Sequence, residues 1–187
     1  MKLLHLIIAV FFGMHFFFAQ INNGLILHYN FNNGQAIDLS GNNFHGDVNA
    51  TPTTGISGDP NTAMSFNGIN NYIELPNDPI LKPQLPVTIS AVVLLNSNTS
   101  TTTSIFTNDF ATNSHTGVWI NTSSQGMFAA NFGDNSGNTS GPNRRSKVGT
   151  TILNTGEWYV LTAVIRGAND MDLYVNCRKE EGSYSGS

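Results

Sequence analysis

One stretch decides the fold of this 187-residue chain: Ala63-Met64-Ser65-Phe66-Asn67-Gly68-Ile69-Asn70-Asn71-Tyr72-Ile73-Glu74-Leu75-Pro76. Apolar residues alternate with small or polar ones on both sides of Asn67-Gly68, which is typical of half-buried strands. Asn-Gly supplies the left-handed backbone that a tight hairpin needs, and Pro76 ends the second strand. The stretch therefore predicts a β-hairpin.

Short β-like runs recur along the rest of the chain, whereas apolar residues at helical spacing are nearly absent after the N-terminal segment. This pattern predicts an all-β, antiparallel sandwich or barrel. Leu25–Phe31 alternates as a first strand. Val87–Leu95 is long and mostly apolar, which predicts a central strand covered on both faces. Further strands are predicted at Ser104–Thr107, Gly117–Asn121, Gly126–Phe132, Trp158–Arg166 and Met171–Asn176, and a loop at Gly133–Lys147.

The N-terminus has the organisation of a secretory signal peptide. Lys2 precedes the apolar stretch Leu3–Phe18, and Ala19-Gln20 is a suitable cleavage point. A transmembrane anchor is the alternative, but the stretch is shorter than the ~20 residues of a membrane span and a polar, Asn-rich segment follows it. We expect removal of residues 1–19, and a single domain at residues 20–187 in a secreted or cell-surface protein with no membrane span after cleavage.

Charge and cysteine content exclude several classes of protein. The formal net charge is −4 at pH 7, whereas nucleic-acid binding needs clustered Lys and Arg. The local basic cluster, Arg144, Arg145 and Lys147, lies in the predicted loop, where we expect solvated side chains. Cys177 is the sole cysteine, so no disulfide framework within the chain holds the fold together.

Several motifs, taken in order, resemble the laminin G-like (concanavalin A-like lectin/glucanase) jelly-roll domains of exported bacterial proteins. They are Leu25–Phe31 followed by Asp38-Leu39-Ser40-Gly41-Asn42, the Ala63–Pro76 stretch, Thr88-Ile89-Ser90-Ala91, Leu153–Tyr159 and Leu173–Asn176. The resemblance implies an antiparallel β-sandwich, a jelly roll, over nearly all of residues 20–187.

The chain departs from the family pattern in two places. The family usually has Gly where Cys177 stands, at a position of positive φ. A β-carbon costs about 1 kcal/mol there, so a different turn is expected. The family also continues through a final Asp-rich strand that nothing in this chain matches. We therefore expect a sandwich that lacks its final strand and has an exposed edge in its place.

The resemblance also implies a Ca²⁺ site in the turn after the first predicted strand. Asp38 matches a position where the family often supplies a carboxylate, and Asn42 is close in sequence. The alternative is that Asp38 forms an ordinary turn by accepting hydrogen bonds from the nearby backbone. The family's other carboxylate comes from the unmatched final strand, so Ca²⁺ would here depend on one carboxylate.

Carbohydrate sites combine an exposed aromatic face with polar groups that pair with the hydroxyls of the sugar. Trp119 is the best candidate platform, although a packed core aromatic is the alternative. Its candidate neighbours are Asn121, Tyr72 and Tyr174, with Asn131 and Asn176 as further amides. Trp158 matches a core position of the family and has no predicted binding role.

Catalytic motifs are not apparent. A glycoside hydrolase needs two carboxylates about 5–10 Å apart, and no Glu-x-Asp-x-x-Glu-like run occurs. Asp170 and Asp172 alternate at a strand start, which is typical of edge-strand charges. We therefore predict a module that is not an enzyme and that binds a polysaccharide or glycan, with Ca²⁺ as a candidate stabilising ion. The alternative is an adhesive or structural module that binds protein or other domains of a larger surface protein.

Overall fold

The computed structural model describes residues 23–97, 101–109, 114–135 and 144–186. The predicted signal peptide, residues 1–19, lies outside them. No helix within the described ranges is long and apolar enough to cross a membrane. The strands are β1 (Asp47–Asn49), β2 (Thr51–Thr53), β3 (Ala63–Ser65), β4 (Tyr72–Glu74), β5 (Val87–Leu94), β6 (Thr103–Thr107), β7 (Thr116–Thr122), β8 (Met127–Asp134), β9 (Arg144–Ile152), β10 (Trp158–Gly167), β11 (Asp170–Val175), β12 (Arg178–Glu180) and β13 (Ser183–Gly186), with 3₁₀ turns at Asn32–Gly34 and Pro79–Leu81.

Two large antiparallel sheets enclose the core. One has four strands in the order β12-β11-β10-β5, and the other has five in the order β13-β9-β8-β7-β6. Side chains alternate along each strand, so Ile120 and Phe128 of the five-stranded sheet meet Leu161 and Leu173 of the four-stranded sheet, all four with 0% exposure. The predicted antiparallel β-sandwich is confirmed.

Alternation located most of the strands of the two sheets. The predicted strands at 104–107, 117–121, 126–132, 158–166 and 171–176 correspond to β6, β7, β8, β10 and β11. The predicted loop at Gly133–Lys147 is wrong at both ends, since β8 runs to Asp134 and β9 begins at Arg144. Lys147 is buried, and its Nζ donates a hydrogen bond to the carbonyl of Met171 at 2.8 Å. The basic cluster is therefore not a solvated loop.

The Ala63–Pro76 stretch contains two strands, but they do not pair with each other. β3 pairs with β2 and β4 pairs with β1, each in a separate two-stranded ribbon. Between them Gly68 has the expected positive φ of 69°, and Asn67 Oδ1 accepts the backbone N–H groups of Ile69, Asn70 and Asn71 at 3.0–3.2 Å. The hairpin prediction is wrong, because this Asx-type loop directs the two strands to different partners.

Two further strand predictions are corrected. Leu25–Phe31 belongs to no ladder; His28 instead bonds to the Asp38 turn through both backbone groups. Val87–Leu95 was expected to be central, but among the described strands β5 pairs with β10 alone and forms an edge of the four-stranded sheet. Its outward Val92 is 50% exposed. A long apolar run therefore marked an edge strand here.

The turn at Cys177 keeps the two-residue form that positive φ permits. Asn176 and Cys177 have φ of 48° and 63°, between Val175 and Arg178, which are paired across β11 and β12. Left-handed φ at both central residues is typical of a type I′ turn. The expectation of a different turn is wrong, because the hairpin imposes the strained conformation on Cys177.

Candidate functional site

A cleft of about 170 Å³ lies on the outer face of the five-stranded sheet. Val118 and Ile120 of β7 point into the core, so Trp119 and Asn121 point to the opposite face. The described residues that line the cleft are Thr102, Trp119, Asn121, Ser123, Ala129, Asn131, Arg144, Ser146, Val148 and Ser185. The cleft therefore spans four adjacent strands and contains the predicted aromatic platform.

One row of residues crosses the floor of this cleft. Trp119 is opposite Asn131, Asn131 is opposite Ser146, and Ser146 is opposite Ser185. Because the four are directly paired in register, their side chains stand side by side on one face. An indole, an amide and two hydroxyls are thereby aligned across β7, β8, β9 and β13.

Trp119 is held by a neighbouring imidazole. The rings of His115 and Trp119 are stacked with centroids 5.5 Å apart and an interplanar angle of 29°. Gly117 lies between them with φ of 100°, a conformation that favours glycine, and a β-carbon on the facing Gly133 would collide with the His115 backbone. Trp119 is half-buried, so it is neither a core residue nor a freely rotating surface ring.

The polar floor residues are joined by a chain of hydrogen bonds. Ser146 Oγ donates to Asn131 Oδ1 at 2.6 Å, and Asn131 Nδ2 donates to Asn121 Oδ1 at 2.6 Å. Asn121 Nδ2 in turn donates to the carbonyl of Thr122 at 3.0 Å. The three side chains are at most 6% exposed. Such mutual satisfaction fixes the amide orientations before any ligand arrives.

Charge in the cleft is confined to one end. Arg144 is the single charged residue among the described lining residues, and it is opposite Gly133 in the register of β8 and β9. Nearby, His115 Nδ1 lies 3.6 Å from Asp109 Oδ2. Asp109 also accepts the backbone N–H of Thr116 at 3.0 Å, which ties this carboxylate to the start of β7.

The other predicted aromatic residues are not part of this cleft. Tyr174 lies on the outer face of the four-stranded sheet, because its neighbours Leu173 and Val175 are buried in the core. Tyr72 is on the separate β1–β4 ribbon and is 53% exposed. The structure thus brings Trp119, Asn121 and Asn131 together and leaves both tyrosines elsewhere.

Two further sequence assignments are settled by contacts. Asn176 is a turn residue whose Oδ1 accepts the backbone N–H of Val160 at 2.8 Å. Trp158 was expected in the core, but Tyr159 occupies the core position and is 6% exposed. Trp158 is therefore on the outer face of the four-stranded sheet, where it is half-buried.

Asp38 organises the loop that follows residues 25–31. Its Oδ1 accepts the backbone N–H groups of His28 and Ser40, and its Oδ2 accepts the hydroxyl of Ser40 and the backbone N–H of Phe44, all at 2.8–3.1 Å. Burial opposes ionisation, but hydrogen bonds from Ser40, Phe44 and His28 outweigh it and lower the pKa of the carboxyl group. Asp38 is thus a structural carboxylate.

These bonds bear on the expected Ca²⁺ site. A carboxylate has about four lone-pair positions, and four donors occupy those of Asp38. Asn42 turns its amide nitrogen, not its oxygen, toward the carbonyl of Ile26 at 2.9 Å. Asp38 and Asn42 as placed therefore do not fit a Ca²⁺ ion, which needs open oxygen ligands. Nor do the described residues contain a cluster of three or more His, Cys, Asp or Glu side chains suited to a metal.

Two other groups of acidic residues lie away from the cleft. Asp170 and Asp172 pair with Arg166 at 2.9 Å each, and Asp172 also pairs with Lys179 at 2.7 Å. A second depression of about 310 Å³, at the β1–β4 ribbon, includes His45, Asp47 and Glu74. It lacks an aromatic platform, so we take the Trp119 cleft as the candidate site.

Comparisons with known proteins establish the class. A laminin G-type family model, described as the concanavalin A-like lectin/glucanases superfamily, matches residues 67–186, which is more than half of the chain. The chain belongs to this superfamily, whose domains commonly bind carbohydrate or mediate interactions and whose members include glucanases. No curated protein and no solved structure matched the chain.

Sequence reasoning missed Ser146 and Arg144 as residues of the site. Both lie on the cleft side of β9, in the stretch that was assigned to a loop. Polar side chains occupy both faces at the start of this strand, so no apolar alternation was available. The signal that remained was the short period-2 spacing of Arg144, Ser146 and Val148.

Proposed function

We propose that this domain binds a polysaccharide in the cleft on the outer face of the five-stranded sheet. The observation that carries the proposal is the in-register row of Trp119, Asn131 and Ser146. A sugar ring presents C–H groups on its face and hydroxyls at its edge, so an indole beside polar side chains matches both. The superfamily membership supports a carbohydrate ligand.

The composition of the cleft favours binding over hydrolysis. Glycosidases place two carboxyl groups on either side of the bond that is cleaved, and the described lining residues of this cleft contain no Asp or Glu. The alternating pair Asp170 and Asp172 is on the other sheet and engaged in ion pairs. We therefore propose a role without catalysis, which predicts no release of reducing sugar from any polysaccharide that the domain binds.

The two tryptophans provide a matched test of the site. We expect Trp119→Ala to weaken polysaccharide binding in affinity electrophoresis by at least about tenfold, because stacking and area are both lost. Trp158→Ala is the control, since it removes the same side chain from the opposite outer face. Unchanged binding by Trp119→Ala, or an equal loss in Trp158→Ala, would contradict the proposal.

An interaction module is the second candidate function, favoured by exposed apolar residues around the Asn67 loop. Phe66, Ile69 and Tyr72 are 47%, 87% and 53% exposed, and exposed apolar side chains close in sequence are typical of contact sites. Under this alternative, the double variant Phe66→Ser, Ile69→Ser loses attachment to a protein partner or neighbouring domain. Retained attachment in that variant would argue against it.

Export is part of the proposal, with residues 1–19 as the signal peptide and the secreted medium or cell surface as the location. Its support is the order of Lys2, an apolar stretch and Ala19. Mass spectrometry of the chain made by cells with a secretion pathway is expected to find an N-terminus at Gln20. A chain that keeps its first residues in the cytoplasm would contradict export.

A further inference from the structure

The charged end of the cleft suggests which polysaccharides fit. Arg144 stands at the start of β9, next along the strand face from Ser146 of the floor row. No carboxylate is among the described lining residues, although the whole chain has a net charge of −4. The cleft is therefore locally cationic on an acidic protein.

The guanidinium of Arg144 is incompletely satisfied. Its Nε is buried and has no hydrogen-bond partner, and no salt bridge joins Arg144 to a residue in the described ranges. The neighbouring Arg145 differs, because its Nε donates to Asn169 Oδ1 at 2.7 Å and its guanidinium lies 5.4 Å from the Tyr184 ring centroid. A buried N–H without an acceptor is costly, so an oxyanion at this position would relieve it.

The Asp109 carboxylate is not among the described lining residues of the cleft. Asp109 accepts a hydrogen bond from the backbone N–H of Thr116 and lies 3.6 Å from His115 Nδ1. Its contacts are therefore with the residues that position Trp119. The guanidinium fork matches the paired oxygens of a carboxylate or a sulfate. A stacking ring and a cation that line the same cleft suit an acidic polysaccharide, because one can contact a sugar ring while the other pairs with its oxyanion.

We infer that the cleft selects acidic polysaccharides, with Trp119 stacking on a sugar ring while Arg144 pairs with a carboxylate or sulfate group of the chain. This inference rests on the proposed carbohydrate-binding function and specifies its ligand class. The shared chemistry is an oxyanion on a sugar, and carboxylated and sulfated polymers are its two sources.

A panel of immobilised carboxylated, sulfated and neutral polysaccharides tests the inference. Wild-type protein is expected to bind acidic polymers, and titration calorimetry with the best of them is expected to show a Kd about tenfold to a hundredfold weaker in Arg144→Gln. Arg144→Lys keeps the positive charge but lacks the paired N–H donors of the guanidinium, so its Kd should fall between those of wild type and Arg144→Gln. Arg178→Gln, an exposed charge on β12, is the matched control, and melting curves check that each variant is folded.

The outcomes separate this inference from the function on which it rests. Equal binding of neutral and acidic polymers, lost in Trp119→Ala but unchanged in Arg144→Gln, would overturn the acidic selectivity and leave carbohydrate binding in place. Equal losses in Arg178→Gln and Arg144→Gln would show nonspecific attraction and also overturn it. Binding to no polymer of the panel would overturn both. Whether carboxylated or sulfated polymers bind more tightly identifies the oxyanion.

Discussion

Glu180 Oε2 accepts the backbone N–H of Thr151 at 2.7 Å and so links the edge strand of one large sheet to the other. The same oxygen accepts the backbone N–H of Thr150 at 2.8 Å, and Oε1 accepts the hydroxyl of Thr151 at 2.9 Å. Burial opposes ionisation of Glu180, but the hydrogen bonds from Thr151 and Thr150 outweigh it and lower its pKa from the ordinary 4.5.

This contact makes stability depend on pH. A carboxyl group whose pKa is lower in the folded state stabilises the fold fully above its unfolded pKa, and the contribution is lost as the pH falls through the folded pKa. We expect Glu180→Gln to cost about 1 kcal/mol at pH 7. Urea unfolding at a series of pH values should show the gap from wild type closing below about pH 4.5. Glu181→Gln, an exposed neighbour, should show no such gap; a gap that stays constant with pH would contradict the assignment.

The Asn176-Cys177 turn contains strain that a substitution can remove. Cys177 has φ of 63°, which glycine adopts without steric cost. Cys177→Gly is expected to raise the free energy of unfolding by about 1 kcal/mol, measured by urea titration under reducing conditions. Cys177→Ala keeps the β-carbon and should gain nothing. Equal stabilisation in both variants would assign the effect to the thiol instead of the backbone.

The Asp38 loop is predicted to be held by hydrogen bonds and not by an ion. Asp38→Asn places an N–H₂ group where two donors converge, which should cost about 2 kcal/mol. We expect the same loss with and without EDTA, and an unchanged wild-type melting midpoint on adding EDTA. Asp47→Asn, at an exposed position, should stay within about 0.5 kcal/mol. A wild-type midpoint that falls with EDTA would restore the calcium hypothesis.

Hydrogen exchange should reveal the edge position of β5. Strand β5 pairs with β10 alone among the described strands, whereas β10 pairs with both β5 and β11. Alternate amides of β5 point away from β10 and are expected to exchange much faster than their neighbours. The amides of β10 should be protected throughout. Uniform protection along β5 would show that another segment covers this edge.

The sequence located strands correctly where the two faces of a strand differ in polarity. Where one face of a strand is apolar and the other polar, as around Trp119 and Asn131, alternation located the strands. It also identified these two residues of the floor row, whereas Ser146 was missed. Pairing partners were beyond reach, because β3 and β4 flank a turn-like Asn67-Gly68 yet join different ribbons. Alternation carries no information about which other strand lies alongside.

Burial was misjudged where composition was uniform. The apolar run at β5 has Val92 and Leu94 on its outer face, next to Val160 and Trp158 of β10, so its hydrophobicity reflects an apolar outer patch and not a central position. The start of β9 fails in the opposite way, because Lys147 is polar and buried while Arg144 lines the cleft. Residue type alone predicts neither the outward position of apolar residues on β5 nor the burial of Lys147 on β9.

Three of the four floor-row residues, Trp119, Asn131 and Ser146, lie on strands that are each bonded on two sides: β7 between β6 and β8, β8 between β7 and β9, and β9 between β8 and β13. Their geometry is therefore established on folding, and no loop has to be ordered for Trp119, Asn131 and Ser146 to adopt their places. The entropic cost of association then falls mainly on the torsions of the ligand. A flat chain that follows the row meets all three side chains together, whereas a chain whose linkages bend away from it loses several contacts at once.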